Sequence, residues 1–150
     1  MDRDHPLLLI RWSGLRRMGL IIWAAPTTMI GLLAGGLGLM TGGRAQVRRG
    51  CIEFHGGAVR WLLRHATFRL DPLAMTLGHS ILGQSAAALD IARDHEHVHV
   101  RQCERWGLLF PFAYLGISLW LWLIGRDAYR DNPFEVEAYL KTPRGFRSPD

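Results

Sequence analysis

Apolar and charged positions are unevenly spread along the chain, and their pattern alone divides it into elements. Residues 18–40 run 23 residues without a charge. At about 1.5 Å per residue, one helix of that length would reach roughly 34 Å, against a hydrocarbon core of about 30 Å. Pro26 and the pair Gly35-Gly36 predict that it is kinked or broken. A basic stretch ahead of an apolar run also fits a secretory signal, but this run is longer than the usual apolar region of one. From Arg44 the apolar residues come in short alternating runs: 45–48, the turn-like Arg49-Gly50, then 51–55 ahead of Gly56-Gly57. That predicts a β-hairpin. Residues 58–63 fit a strand or a helix, and 75–82 read as a further strand closed by Gly83, so the region is expected to be a small β-meander.

Helical spacing takes over at 85–106, where Ala86, Ala87, Ala88 and Leu89 are strong helix formers and Gly107 is a natural stop. At about 100° per residue, Ile91, His95, Val98 and Gln102 share one stripe, with His99 about 60° from its centre. Arg93, His97, Arg101 and Glu104 fall on the opposite side, so His97 is expected to be a solvated surface residue. Residues 106–124 form a second charge-free stretch, of 19 residues, between Arg105 and Arg126. Asn132-Pro133 then marks a turn, 134–140 a short helix, and the last ten residues a frayed tail. The expected fold class is α+β: an N-terminal hydrophobic anchor over 1–43, a domain over 44–140, and a tail over 141–150.

Composition narrows the function classes. A length of 150 residues with 49% hydrophobic and 21% charged positions describes one domain and excludes a disordered tail. Two cysteines, Cys51 and Cys103, form no CxxC and cannot build a disulfide scaffold. The net charge of +5 rests on 18 Lys+Arg, all arginine except Lys141. These arginines are spread from Arg3 to Arg147 and form no single basic stripe, so nucleic acid is not expected as a partner. An anionic membrane surface is, and with it a location in the bacterial inner membrane. Sidedness stays open, because Arg16 and Arg17 on one flank of 18–40 face Arg44, Arg48 and Arg49 on the other.

The chemistry concentrates in His95-Glu96-His97-Val98-His99, which satisfies HExxH. Residues four apart are neighbours on a helix, so His95 and His99 can both offer a ring nitrogen to one Zn²⁺. Glu96 would then sit beside the metal without ligating it, placed to take a proton from a water whose pKa the metal has lowered. With 7 His in 150 residues, chance predicts about 0.01 such patterns. The third ligand a catalytic zinc requires could come from Glu104, Asp127, Asp131, Glu135 or Glu137. Glu104 is a poor choice, being on the outer side of the same helix.

The segment Glu135-Val136-Glu137-Ala138-Tyr139 resembles the ExxAD helix of the gluzincin metalloproteases, which pair it with an upstream HExxH helix. The resemblance implies Glu135 as third ligand, with Glu137 in a variable slot. Tyr139 stands where that class has an Asp that supports the metal-binding histidines. It also implies that the strand over 76–82 lies beside the active-site helix and pairs with an extended peptide substrate. More widely, TLGH, HExxHVRQxERWG and YRDNPFExEA resemble a small uncharacterised family of bacterial membrane proteins, a match that covers most of the chain.

The expected function is therefore membrane-associated, zinc-dependent hydrolysis of peptide bonds, with membrane lipid and a peptide or protein substrate as partners. His79, Tyr139 and Tyr129 are further candidates to contact substrate or a developing oxyanion. The alternative is a non-hydrolytic membrane protein with a structural or sensory metal site, favoured by Tyr139 in place of Asp and by the small size. A third reading has no metal, with His95 and His99 as core residues. The metal reading also makes a topological demand: His95 and Glu135 must share one side of the membrane, so either Glu135 is not the ligand or 106–124 does not span, being broken at Pro111 and Gly116 into a re-entrant segment or buried against the first hydrophobic segment; a monotopic or re-entrant segment is expected.

Overall fold

A computed structural model describes residues 6–65 and 72–142. The described elements are α1 (Pro6–Trp23), α2 (Ala25–Met40), β1 (Arg44–Arg48), β2 (Cys51–His55), α3 (Gly57–His65), β3 (Ala74–Leu77), β4 (Ser80–Gly83), α4 (Ala86–Trp106), α5 (Leu109–Leu123) and α6 (Pro133–Lys141). The class is α+β, as the sequence predicts. Lys141 closes α6 and Thr142 caps it, while 143–150 of the expected tail lie outside the described residues.

Residues 18–40 are two helices, bent by 65° at Ala24. Pro26 has no N–H to give the carbonyl of Ile22, and its ring crowds that carbonyl, so the helix ends and restarts there. Gly35-Gly36, where a kink was also expected, lies inside an unbroken α2. Gly31, Gly35 and Gly38 instead form the stripe by which α2 packs, the first two on the sheet and Gly38 on Val59 of α3. A Cβ at Gly35 would stand 2.4 Å from the Phe54 ring, and one at Gly31 2.6 Å from Ser80 Cβ.

The sheet has the order β1-β2-β4-β3. β1 and β2 form the predicted hairpin, with Val47 opposite Ile52. The expected meander is corrected to a mixed sheet: α3 carries the chain across, and β4 then pairs with β2 in parallel. Residues 75–82 are likewise two strands, because Gly78, at φ +63, turns the chain back between β3 and β4. β4 is buried along its whole length, and its adjacent side chains point to opposite faces. Ile81 meets Leu89 and Ala92 of α4, whereas Leu82 meets Val59 and Leu63 of α3 and Phe54 of β2. The body thus has three layers, with the sheet between α4 and the α2/α3 pair. Truncating Leu82, which is fully buried, would cost about 2–5 kcal/mol.

α4 begins at Ser85, whose side chain accepts from Ala88 N, and ends at Gly107. The single stripe expected on it is too narrow. Ala92, Glu96 and Val100 are buried toward the sheet and His95, His99 and Gln102 toward α6, while Ile91 is exposed. At Gly107, φ +57, the chain turns by 112° into α5. α5 is one continuous helix, so the expected break at Pro111 and Gly116 is corrected: Pro111 lies in the first turn, where its missing N–H costs nothing. At about 1.5 Å per residue α5 spans roughly 22 Å, short of a hydrocarbon core. Among the described residues no single helix is long and apolar enough to cross a membrane, although the bent pairs α1/α2 and α4/α5 pass the test of length and composition together.

Candidate metal centre

The site forms where α6 lies against α4. Asn132 caps α6 by accepting from Phe134 N at 3.0 Å, and its amide donates to Tyr114 O and Ser118 Oγ of α5 at 3.2 and 2.9 Å. This one buried side chain therefore starts α6 and docks it on α5. Pro133 supplies a preformed first turn, and Glu135 follows in that turn, where the helix dipole favours an acid.

His95 and His99 face it. His95 Nε2 lies 3.1 Å from Glu135 Oε2, His99 Nε2 lies 3.3 Å from Glu135 Oε1, and the two Nε2 atoms are 3.1 Å apart. Ligand atoms around a tetrahedral zinc, at about 2.0–2.1 Å from the ion, stand roughly 3.3 Å from one another. The three residues, all buried, can hold a metal ion.

Neighbouring groups prepare these atoms. Gln102 Nε2 donates to Phe134 O at 3.0 Å and to Glu137 Oε2 at 2.9 Å, which fixes the amide so that Oε1 faces His99 Nδ1 at 2.8 Å. An amide oxygen only accepts, so Nδ1 carries the proton and Nε2 is the atom left for a metal. Tyr114 donates its hydroxyl to Glu135 Oε1 at 2.8 Å. Burial disfavours a charged imidazole at His99, yet the hydrogen bond to Glu135 and the nearby Glu96 and Glu135 charges raise its pKa to about 9. Burial likewise opposes ionisation of Glu135, but hydrogen bonds from His95 and His99 bring its pKa to about 2. The pocket between the three side chains therefore attracts a cation, and in the metal-free chain a proton takes that place.

Glu96 lies toward β3, where its Oε2 accepts from Thr76 Oγ1 at 2.7 Å. It is close enough for its charge to act on His99 and is not among the converging ligand atoms. Tyr139 packs its ring, tilted by 53°, at 4.6 Å from that of His95, and its hydroxyl lies 3.3 Å from that of Tyr129. His79 is elsewhere: it sits in the β3–β4 turn with its Nε2 3.1 Å from Glu104, on the far side of α4. His97, expected to be solvated, is half-buried, and its Nε2 is shut off from solvent with no hydrogen-bond partner among the described residues. Of the other acids, Glu137 binds Gln102, Arg105 and Lys141, and Asp127 accepts from Tyr129 N and Arg130 N. Asp131 pairs with Arg126. Glu135 alone of the five candidates joins the histidines.

Three contributors carried little sequence signal. Gln102 lies three residues beyond His99, which places it on the same flank, but nothing local says that its amide is pinned by α6. Tyr114 is one hydroxyl inside an apolar run, and Thr76 one hydroxyl inside a strand. Comparison with protein-family models, with curated proteins and with solved structures found no match to this chain.

Proposed function

We propose that the chain is a membrane-associated zinc metallopeptidase of gluzincin type. The observation that supports this most is the convergence of His95, His99 and Glu135 beside a carboxylate, Glu96, that is not aimed into the ligand set. Two imidazoles and one carboxylate suit zinc and leave a fourth position for water. When bound, zinc supplies a Lewis acid and a water of lowered pKa. Glu96 takes a proton from the attacking water and delivers it to the departing amine as the C–N bond breaks, and Thr76 holds Glu96 in place. β3, an edge strand joined to Glu96 through Thr76, would align an extended peptide by backbone pairing.

The membrane part of the proposal rests on exposed apolar side chains. Met29, Leu33 and Leu37 of α2 and Phe112, Leu115, Leu119 and Trp122 of α5 face outward, two apolar helix faces suited to lipid. The bacterial inner membrane is the proposed location. The chain between His95 and Glu135 leaves and returns within one body, as a shared site requires.

One observation favours the second reading, a structural or sensory metal site: His95, His99, Glu135 and Glu96 are 2, 7, 3 and 5% exposed. Metal content by mass spectrometry, with hydrolysis of a peptide library, tests both. Wild type should carry about one zinc and cleave, and Glu96→Gln should keep the zinc and lose cleavage. Zinc without cleavage selects the structural reading. A wild type that takes up no metal when zinc is supplied ends both.

A further inference from the structure

A second concavity lies on the far side of α4 from the metal cluster. It encloses about 390 Å³ between α1, the β1–β2 turn and the outer face of α4. Three elements each bring it a guanidinium: Arg17 from α1, Arg49 from the turn and Arg101 from α4. Arg49 and Gly50 both have positive φ, 48° and 81°, as a tight two-residue hairpin turn requires. Arg17 lies across that turn, with Nη2 2.8 Å from where a Cβ on Gly50 would stand.

The charges do not cancel. Asp94 is taken by Arg49 at 2.6 Å and Glu104 by His79 at 3.1 Å. Among the described residues Arg17 and Arg101 have no ion-pair partner, and the three arginines face two carboxylates, so one positive charge is left over beside Lys141, which Glu137 holds. His79 and His97 also line the pocket. Ile21 forms an apolar part of the lining, and Leu15, Met18 and Ile22, about 80–140° round the same helix from the face that Arg17 and Ile21 share, are exposed.

We propose that this pocket binds the phosphate group of an anionic phospholipid, with the acyl chains lying along the exposed apolar side of α1. Guanidinium groups match phosphate oxygens in charge and in the spacing of their donors. The exposed apolar residues of the helix that carries Arg17 favour a lipid over a free phosphate ester. The lipid assignment rests on the membrane reading above and is independent of the metal.

The test uses the full chain in flotation assays with phosphatidylglycerol vesicles and phosphatidylcholine vesicles. Phosphatidylglycerol should bind more tightly, and Arg17→Gln with Arg101→Gln should lose about ten- to thirtyfold of that binding. Arg60→Gln with Arg64→Gln removes the same charge from the exposed face of α3 and should leave it intact. Equal losses from the two double variants, or equal binding to the two vesicles by wild type, would overturn the pocket while leaving the membrane reading standing. Failure to bind either vesicle overturns the lipid assignment together with the membrane reading. Glycerol phosphate in solution should not compete at millimolar concentration. Full competition, sensitive to Arg17 and Arg101, would replace the lipid with a soluble phosphate ester and overturn the assignment as stated.

Discussion

The two flanks of α4 carry the same kinds of residue and come to opposite ends. On the α6 flank, His95 and His99 meet Glu135, and no arginine or lysine among the described residues bonds to Glu135 or Glu96. On the other side, His97 lies near Arg49 and Arg101, Arg93 is paired with buried Glu53, and Asp94 with Arg49. His99 therefore has its pKa raised by carboxylates, whereas that of His97 is lowered, first by burial and then by Arg49. Glu135 and Glu96 take no bond from a described arginine or lysine, Arg105 and Lys141 being held by Glu137, whereas the pocket on the other flank is lined by more arginines than acids to pair them. Histidines two residues apart are thus sorted by what the opposing element brings, α6 with its acid or the β1–β2 turn with its arginine. HExxH spacing makes the sorting possible but does not perform it.

Glu135→Ala tests the α6 flank most severely. It should abolish stoichiometric zinc and leave the thermal midpoint insensitive to chelator. In metal-free protein it should still cost about 3–5 kcal/mol, the usual result of removing one partner of a buried pair. Retained zinc would remove Glu135 from the ligand set. The same pair sets a pH dependence. A His99 pKa raised to about 9 gives stability that is complete below about 6.5 and lost as pH rises through 9. A Glu135 pKa lowered to about 2 gives stability present above about 4.5 and lost as pH falls toward 2. Metal-free protein should thus be most stable near pH 5–6 as far as this pair decides. Zinc must displace the His99 proton, so the stabilisation gained on adding it should grow from pH 5.5 to pH 8.5 in calorimetry. A gain that does not change with pH would show that the two do not compete for Nε2.

The opposite flank is probed by Glu53→Gln. Glu53 is fully buried and takes two bonds from Arg93, at 2.8 and 3.0 Å, and one from Gln46 at 2.7 Å. Because Arg93 keeps Asp90 as a partner, the expected cost is near the low end for a broken buried pair, about 3 kcal/mol by denaturant titration. Zinc affinity should be unchanged. A parallel loss of zinc would mean that the two flanks are coupled through α4 and are not separate systems.

How much of this contrast the sequence reveals depends on how local each feature is. The capped α4, the 44–55 hairpin and the HExxH pair are set by neighbours a few residues apart, so periodicity and capping residues reveal them. Glu135 was reached through the resemblance of residues 135–139 to a motif. What stayed hidden is what depends on distant chain. The parallel pairing of β2 with β4 needs the α3 crossover, and no residue in either strand encodes its neighbour. Ile91 fits the inner stripe by angle, yet it is exposed because the sheet and α6 bury a different arc of α4. Gln102 faces His99 Nδ1 at 2.8 Å, and its amide is oriented only once α6 has docked.

Gln102→Ala is the next smaller effect, and it separates orientation from ligation. Without the amide, His99 Nδ1 loses the acceptor that fixes its tautomer, so zinc affinity should fall about 10- to 100-fold with all three ligands still present. Competition with a zinc-chelating dye would measure it. Gln102→Glu keeps an acceptor for Nδ1 but sets a carboxylate against Phe134 O and Glu137 Oε2, so it should recover part of the affinity only when Glu137→Gln removes that repulsion, which a merely structural loss would not. An unchanged affinity in Gln102→Ala would show that the ring is held by packing against Phe110 and Tyr114 alone.

The smallest effect on stability belongs to Asp94→Asn, and it sharpens the contrast most finely. The Asp94–Arg49 pair is short, 2.6 Å, but its side chains are 45 and 62% exposed. Water screens such a pair and the long Arg49 side chain loses freedom in making it, so removal should change stability by about 0–1 kcal/mol, and less in high salt. Arg49 would then be free to face the pocket beside Arg17 and Arg101. Binding to phosphatidylglycerol vesicles should accordingly strengthen by a few-fold while zinc content stays the same. A variant that binds these vesicles no better than wild type would show that Arg49 is committed to the hairpin turn, leaving the excess charge of that flank to Arg17 and Arg101.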